Sequence, residues 1–228
     1  MKPCIVFDFD GTIAYSPRKY IEIFNQMAHK FKCRKVGEDG MDVLRTLSPK
    51  ETLRYLGVSW LKTPMVVKAM KREIGKRLDE FPMVEGIMEV VEALREKGYR
   101  LGIISTNAER NVLKYLKIND IRGFSFFSCD TSLFHKHRSI RAFLRRYGIR
   151  KEDMLYIGDE VRDVWSSKKA GVAVVAVNWG YHSGERLRSE EPDFFVTKPA
   201  ELLGVVEEFA RPFSSKQGPK IPYKAQGR

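Results

Sequence analysis

The sequence lacks a long hydrophobic run, since no stretch approaches the roughly 18 consecutive apolar residues that a membrane-spanning helix requires. Its first residues, MKPCIVFDFDG, carry acids where a signal peptide would have an apolar stretch. We therefore expect a cytoplasmic protein with no membrane partner. With 228 residues, of which 43% are hydrophobic, the chain can still form a sizeable core.

Cysteine is scarce as well. Cys4, Cys33 and Cys129 are the three cysteines of the chain, and they are widely spaced. This spacing matches neither a metal-binding cysteine motif nor a disulfide framework. We expect three buried, reduced thiols.

The sequence has no helix-turn-helix, zinc-finger or aromatic RNA-binding signature. Its net charge is +12, from 41 basic and 29 acidic residues, and part of this excess lies in residues 211–228, which contain no acid. These residues also include prolines and glycines, so we predict a basic, disordered tail. Positive charge also attracts small anions. We therefore expect no nucleic-acid partner.

Short apolar segments predict buried strands, because they show no alternation of polar and apolar residues. The strongest are Pro3–Phe7, Arg100–Ile104, Met154–Ile157 and Val172–Val177, and the weaker ones are Gly123–Phe127 and Asp193–Val196. Amphipathic helical patterns lie between them, as in GIMEVVEALREKGY and HRSIRAFLRRYG. This alternation predicts an α/β fold: a Rossmann-like parallel sheet with helices on both faces.

Residues 15–81 interrupt the alternation with helical patterns alone. Ser48 and Thr63 are each followed by proline, and both are predicted to cap a helix. We predict a small all-helical cap domain at 15–81, inserted after the first strand. The α/β core domain then comprises residues 1–14 and 82–210.

The segment CIVFDFDGTI places two carboxylates, Asp8 and Asp10, at the end of the first predicted strand. Alternate residues of a strand point to the same side, so both can face one site. Gly11 permits a sharp exit from the strand. Two buried carboxylates are costly to hold together unless a cation joins them.

Reactive residues also follow other predicted strands, at the sheet edge where open parallel sheets bind ligands. LGIISTN ends in Ser105, Thr106 and Asn107, which can hydrogen-bond the oxygens of an anion. Lys136 precedes a helix, and MLYIGDEVRD supplies further acids. Those acids are Asp159, Glu160 and Asp163.

Each of these features could also be purely structural: an acidic turn, acids at a helix start, a helix cap, or a surface lysine. His135 and His137 are expected to be solvated, and Asn178, Trp179 and Tyr181 to pack in a loop. The acids, hydroxyls and lysine nevertheless recur at strand ends in one order, which favours a single site. Its oxygen donors, without cysteine or histidine, suit Mg²⁺. The expected metal ligands are Asp8, Asp10, Asp159 and Asp163.

With these motifs the sequence resembles the haloacid dehalogenase superfamily, in its phosphoglycolate-phosphatase-like branch. The first motif of that family, Asp-x-Asp-x-Thr, corresponds to Asp8, Asp10 and Thr12. The second is a hydroxyl residue after an apolar strand, for which we favour Ser105 over Thr106. The third is Lys136, and the fourth is the Gly-Asp-x-x-x-Asp pattern GDEVRD. The resemblance covers roughly residues 3–203.

The resemblance implies a Mg²⁺-dependent phosphatase that acts on a small phosphorylated metabolite. Asp8 would attack phosphorus to form an aspartyl-phosphate, and Asp10 would act as acid and then as base. Ser105 and Lys136 complete the expected catalytic set by holding phosphate oxygens. Four residues are assigned to phosphate binding: Gly11, Thr12, Thr106 and Asn107.

Two other functions remain open at this point. A phosphomutase would keep every motif but return phosphate to a substrate rather than to water. A non-catalytic interaction protein could use the basic tail, although an intact set of catalytic side chains argues against it.

Overall fold

The computed structural model describes residues 2–15, 17–132 and 134–214. Six parallel strands form one sheet in the order β3-β2-β1-β4-β5-β6. The strands are β1 (Cys4–Phe7), β2 (Arg100–Ile104), β3 (Phe124–Ser128), β4 (Met154–Gly158), β5 (Ala173–Val177) and β6 (Phe194–Val196). Every strand predicted from the sequence is present.

Helices cover both faces of this sheet, which confirms the predicted α/β fold. They are α5 (Ile87–Glu96), α6 (Glu109–Ile118), α7 (Lys136–Arg146), α8 (Val161–Ala170), α9 (Gly184–Arg188) and α10 (Glu201–Ser214). Along β1, Ile5 and Phe7 join the core cluster that includes residues of α5, α6 and α10, whereas Cys4 and Val6 join the cluster formed with α7, α8 and α9. Burial on both faces explains why the strands are apolar throughout.

The interruption between β1 and α5 is helical, as predicted. It contains α1 (Pro17–Phe31), α2 (Gly40–Leu44), α3 (Pro49–Tyr55) and α4 (Thr63–Lys76). These helices enclose a core cluster of their own, which includes Phe24, Leu44 and Val66. Ile23 of α1 and Ile74 of α4 instead join the core of the sheet.

Of the two helix caps predicted in this segment, one is present and the other is not. The Ser48 hydroxyl accepts a hydrogen bond from the Glu51 N–H, within a complete capping box. The prediction for Thr63 is wrong, because Lys62 is the cap and the Thr63 hydroxyl donates to the Ser59 carbonyl at 3.1 Å. The preceding turn takes up that hydroxyl, so it is not left to cap the helix.

The last helix, α10, continues to Ser214, so the first four residues of the predicted tail, 211–214, are helical. Residues 215–228 lie outside the described residues. The prediction that they form a disordered tail therefore concerns residues that the structure does not describe. Among the described residues, none of the helices combines the length and the apolar composition that a membrane span requires. The three cysteines are free thiols; Cys4 is buried, as expected, but Cys33 and Cys129 are only partly buried.

Candidate active site

The site is built where three neighbouring strands end. Asp8 follows β1, Ser105 follows β2 and Asp159 follows β4, and these strands lie side by side in the sheet. The ladder holds the Asp8 backbone in place, since its N–H donates to the Ile157 carbonyl at 2.7 Å. Side chains far apart in the sequence therefore meet at one edge of the sheet.

Three carboxylates form a buried triad. Asp8, Asp159 and Asp163 each place an oxygen within 4.8 Å of the others, and all three are buried. Burial raises the pKa of Asp8 to about 7, although the Lys136 ammonium opposes the shift. Burial, and then the charge of Asp8, raise the pKa of Asp159 well above its ordinary value. The triad is thus poised to take up a cation, which would relieve the crowding of negative charge.

Lys136, the first residue of α7, reaches into this triad. Its Nζ lies 2.9 Å from Asp8 Oδ2 and 2.5 Å from Asp163 Oδ1. The side chain is only 1% exposed, which rules out a surface lysine. Burial alone would lower its pKa, but the Asp163 and Asp8 carboxylates raise it, so the ammonium stays charged. The structure therefore brings the predicted lysine to the predicted nucleophile.

Asp159 is fixed from both sides. The Thr12 hydroxyl donates to Oδ1 at 2.8 Å, and the Tyr181 N–H donates to Oδ2 at 2.7 Å. Thr12, which the sequence assigned to phosphate binding, is fully buried and orients Asp159 here. Tyr181 contributes its backbone N–H from a loop whose side chains were predicted only to pack.

Glycines allow the backbone to pass close to the acids. A β-carbon on Gly11 would lie 2.1 Å from Asp159 Oδ2, and one on Gly180 would lie 2.2 Å from Asp159 Cβ. A β-carbon on Gly158 would lie 2.4 Å from Asp163 Oδ2. Gly11 also has a φ of +87°, a conformation that favours glycine. These residues shape the pocket around the acids, and this is the role that the structure gives to Gly11.

We expect Gly180→Ala to destabilise the protein by about 1–3 kcal/mol, because the added methyl group collides with a buried carboxylate. Gly204→Ala is the matched control, since its β-carbon would meet nothing within 4 Å. That helical substitution should stabilise the protein by about 0.5–1 kcal/mol. Urea unfolding of both variants measures the difference. Equal stability of the two would contradict this account of Gly180.

Asp10 lies outside the triad. Its Oδ1 accepts hydrogen bonds from the Tyr20 hydroxyl and, at 3.2 Å, from Asn107 Nδ2. Asn107 Nδ2 also lies 3.3 Å from the Tyr20 hydroxyl oxygen, so the three side chains form one network. Burial raises the pKa of Asp10, while the two hydrogen bonds oppose the shift. The carboxylate of Asp10 is thus placed for proton transfer, and its predicted role as a metal ligand gains no support from this position.

In the hydroxyl-rich segment after β2, each side chain has different surroundings. Ser105 is fully buried, and its hydroxyl accepts a hydrogen bond from the Asn107 N–H at 2.9 Å. Asn107 Oδ1 accepts from the Ala108 N–H and from Asn111 Nδ2. Both ends of the Asn107 side chain therefore have protein partners. Thr106 is partly buried beside them.

Sequence reasoning identified Glu160 only as one acid among several, and it missed Arg162. The guanidinium of Arg162 donates to both carboxylate oxygens of Glu160, at 2.7 Å each. Burial opposes ionisation of Glu160, but Arg162 lowers its pKa below the ordinary value. Tyr20 was also missed as a site residue, because residues 15–81 showed only helical patterns. Neither side chain carries a sequence signal beyond its type.

The donor set fits Mg²⁺. The triad offers carboxylate oxygens alone, with neither thiolate nor imidazole. Asp8 Oδ2 contacts Lys136 as an ion pair but makes no hydrogen bond with good geometry. It therefore retains lone pairs for a metal. The buried, crowded triad supplies the electrostatic reason for a divalent cation.

The chain is similar to known proteins over most of its length. The family model described as Haloacid dehalogenase-like hydrolase matches residues 5–177. A phosphoglycolate phosphatase from Synechococcus elongatus is 29% identical over 208 residues, which are 91% of this chain and 98% of that protein. The pyrophosphatase PpaX from Bacillus cereus is 24% identical over 212 residues, covering 91% of this chain and 97% of its own.

A solved structure shares the fold. The structure of a predicted phosphatase from Clostridium acetobutylicum aligns with a TM-score of 0.80 at 19% sequence identity. The alignment covers 91% of this chain and 99% of that one. Most of the chain therefore has a counterpart of known fold.

Proposed function

The chain belongs to the haloacid dehalogenase-like hydrolase family, and from this premise we propose that it is a Mg²⁺-dependent phosphatase of small phosphorylated metabolites. Its phosphatase relatives support an enzyme that hydrolyses phosphoric monoesters. The observation that carries the proposal is the contact of a buried lysine with Asp8 inside an acidic triad. Such a site can accept a phosphate dianion next to a carboxylate nucleophile.

Asp8 is the proposed nucleophile. Its Oδ1 accepts a hydrogen bond from the Phe9 N–H at 2.8 Å, and its Oδ2 lies beside Lys136. Both contacts restrict the rotation of the carboxylate. One Asp8 oxygen forms a bond to phosphorus while the bond from phosphorus to the leaving oxygen breaks, which gives an aspartyl-phosphate.

Asp10 is the proposed acid and base. Its Oδ1 already accepts two hydrogen bonds, so a proton on this carboxyl is favoured on Oδ2. In the first step that proton moves to the leaving oxygen. In the second step Asp10 takes a proton from water as the water oxygen attacks phosphorus, and the bond to Asp8 breaks to release inorganic phosphate.

The remaining residues bind and orient. Lys136 is placed to hold a phosphate oxygen, and Ser105, the residue that directly follows β2, is the proposed partner of another. Asp8, Asp159 and Asp163 would hold Mg²⁺, and Asp163 also pairs with Lys136. The bound ion would offset negative charge on the carboxylates and on the phosphate.

The helical segment 15–81 is the proposed cap over this site, as the sequence predicts. Three of its contacts reach the catalytic edge of the sheet. Tyr20 donates to Asp10, Arg45 Nε donates to the Tyr181 carbonyl at 2.9 Å, and the Leu47 carbonyl lies 3.2 Å from His182 Nε2. Such a cover would exclude bulk water from the aspartyl-phosphate until the leaving group departs.

We expect Tyr20→Phe to slow hydrolysis about tenfold for an alkyl phosphate, because Asp10 loses the hydroxyl that fixes its orientation. For 4-nitrophenyl phosphate the loss should be about threefold or less, since its leaving group needs little protonation. The values of kcat/KM on both substrates, which report the formation of the aspartyl-phosphate, measure the difference. Tyr55→Phe, in the same helical segment, is the control. Equal losses on the two substrates would contradict the positioning role of Tyr20.

The broadest test of the proposed function is an assay of phosphate release. A panel of phosphorylated metabolites is incubated with the enzyme, with and without Mg²⁺. Release that requires Mg²⁺ is expected for at least one of them. A transfer of phosphate to a second organic hydroxyl, with no inorganic phosphate formed, would favour a phosphomutase instead.

A further inference from the structure

A cavity of about 560 Å³ lies beside the helices α3 and α4 and is not used by the proposed chemistry. Its lining includes the cations Lys50 and Arg54 and the aromatic side chains of Trp60 and Phe134. Ligand-binding pockets commonly enclose about 300–1,000 Å³. A two-carbon leaving group such as glycolate would fill little of this space.

This cavity adjoins Lys136, one of the proposed catalytic residues, through a second, smaller one. The smaller cavity, of about 190 Å³, is lined by Lys136 and Arg162 and shares Lys50 and Phe134 with the larger cavity. Phe134 and Lys136 are separated by one residue, so the aromatic wall and the phosphate-binding lysine belong to the same loop and helix start. A substrate with its phosphate at Lys136 could therefore extend past Phe134 toward Trp60.

Two cations on the cavity wall are available to a ligand. Lys50 and Arg54 are four residues apart on α3, so they share one face of that helix. The salt bridges found among the described residues involve neither of them. Two adjacent positive charges repel each other, and the nearby carboxylate of Glu51, which interacts with Arg54, already accepts a hydrogen bond from the Ser48 N–H. Their position on the cavity wall indicates a ligand with a negative group.

The aromatic side chains expose surface that a flat ring could cover. Trp60 is 80% exposed and Phe134 is 40% exposed, whereas large apolar side chains are normally buried. Leu53 and Val58 add apolar lining to the same cavity. Aromatic faces next to cations suit a planar ring that carries an anionic substituent.

We infer that the leaving group of the substrate is an aromatic ring with a second anionic group. The ring lies against Trp60 and Phe134, and its anionic group is bound by Lys50 and Arg54. This inference rests on the proposed phosphatase function, and it assigns the larger cavity to the part of the substrate that remains after phosphate is removed.

The unmodified enzyme tests this with three substrates in the presence of Mg²⁺. These are 2-phosphoglycolate, phenyl phosphate, and 4-carboxyphenyl phosphate. We expect kcat/KM to be highest for 4-carboxyphenyl phosphate, which has both the ring and the second anion. Highest kcat/KM for 2-phosphoglycolate would overturn the inference while leaving the proposed function intact.

Variants then test the cationic part and the aromatic part of the cavity lining separately. In Lys50→Ala/Arg54→Ala, the ratio of kcat/KM for 4-carboxyphenyl phosphate to that for phenyl phosphate should fall at least about fivefold, since a charged contact is lost. In Trp60→Ala, the ratio for phenyl phosphate to 2-phosphoglycolate should fall at least about threefold. Lys30→Ala/Lys35→Ala removes two exposed cations outside the cavity and should change neither ratio. Unchanged ratios in the first two variants would overturn the inference.

A binding measurement gives an answer even without turnover. Asp8→Asn, which lacks the proposed nucleophile, is titrated with 4-carboxyphenyl phosphate and with 2-phosphoglycolate by calorimetry. We expect the aromatic phosphate to bind at least about tenfold more tightly. Tighter binding of 2-phosphoglycolate would overturn the inference. Failure of every substrate in the assay, together with tight aromatic binding here, would count against the proposed function alone.

Discussion

Asp8→Asn is expected to reduce phosphate release by at least about 10³-fold, the scale on which a removed nucleophile acts. An amide oxygen is a much weaker nucleophile than a carboxylate, and the other two carboxylates of the triad are already held by protein groups. Asp159 is held by Thr12 and Tyr181, and Asp163 is paired with Lys136. The measurement is the rate of inorganic phosphate release from the purified variant.

The fold should survive this substitution. Burial raises the pKa of Asp8 to about 7, so at higher pH the folded state holds a carboxylate that its surroundings disfavour. The pKa of Asp8 is higher in the folded state than in the unfolded state. At pH values between the two, the folded state binds more protons than the unfolded state, so the free energy of unfolding falls as pH rises through this range. The neutral asparagine removes that penalty. In metal-free buffer at pH 8 the variant should melt no lower than the wild type.

Asp120→Asn is the matched control for this experiment. Asp120 is exposed and pairs with Arg122 across 2.8 Å, and its positive φ suits asparagine as well as aspartate. Its activity should equal that of the wild type. Near-normal phosphate release by Asp8→Asn, in a sample whose sequence is verified by mass spectrometry, would rule out Asp8 as the nucleophile.

Removal of divalent metal is expected to stop the reaction, and Mg²⁺ should restore it. Without a cation, the carboxylates of the triad repel one another and repel an incoming phosphate. Ca²⁺ should restore activity poorly, because its larger and looser coordination shell would misplace the attacking oxygen. The measurement is phosphate release in excess EDTA, followed by titration with each metal.

Asp159→Ala should raise the Mg²⁺ concentration for half-maximal activity by about tenfold or more, because a carboxylate ligand is lost. The Asp120→Asn control should show the half-maximal concentration of the wild type. Equal half-maximal Mg²⁺ for Asp159→Ala and the wild type would remove Asp159 from the metal site. Full activity of the wild type in excess EDTA would exclude the metal requirement altogether.

The sheet could be predicted from the sequence because its strands are buried on both faces. Short uninterrupted apolar runs such as Cys4–Phe7 are typical of such strands, and the intervening helices have clear apolar stripes. Since parallel strands end at a common edge, the positions of Asp8, Ser105 and Asp159 follow from the strand assignments alone. The burial of Lys136 follows less directly, because lysine before a helix is usually exposed.

The direction of individual side chains could not be predicted. Asp10 and Thr12 were assigned to the metal and to the phosphate, yet they contact Tyr20 and Asp159. These partners are set by how the helical segment packs on the sheet edge, and periodicity does not contain that information. Asn107 is a further example. It was assigned to phosphate binding, but its side-chain amide forms hydrogen bonds with protein groups.

The most direct test of the account is to trap the phosphorylated enzyme. Asp10→Asn should still react with 4-nitrophenyl phosphate, whose leaving group needs little protonation, but it cannot take the proton from water in the second step. Acid quenching in the presence of Mg²⁺, followed by intact-protein and peptide mass spectrometry, locates any added phosphoryl group. We predict close to one phosphoryl group per chain, on Asp8. Wild-type rates of phosphate release with Asp8 unmodified, or a phosphoryl group on another residue, would contradict the account.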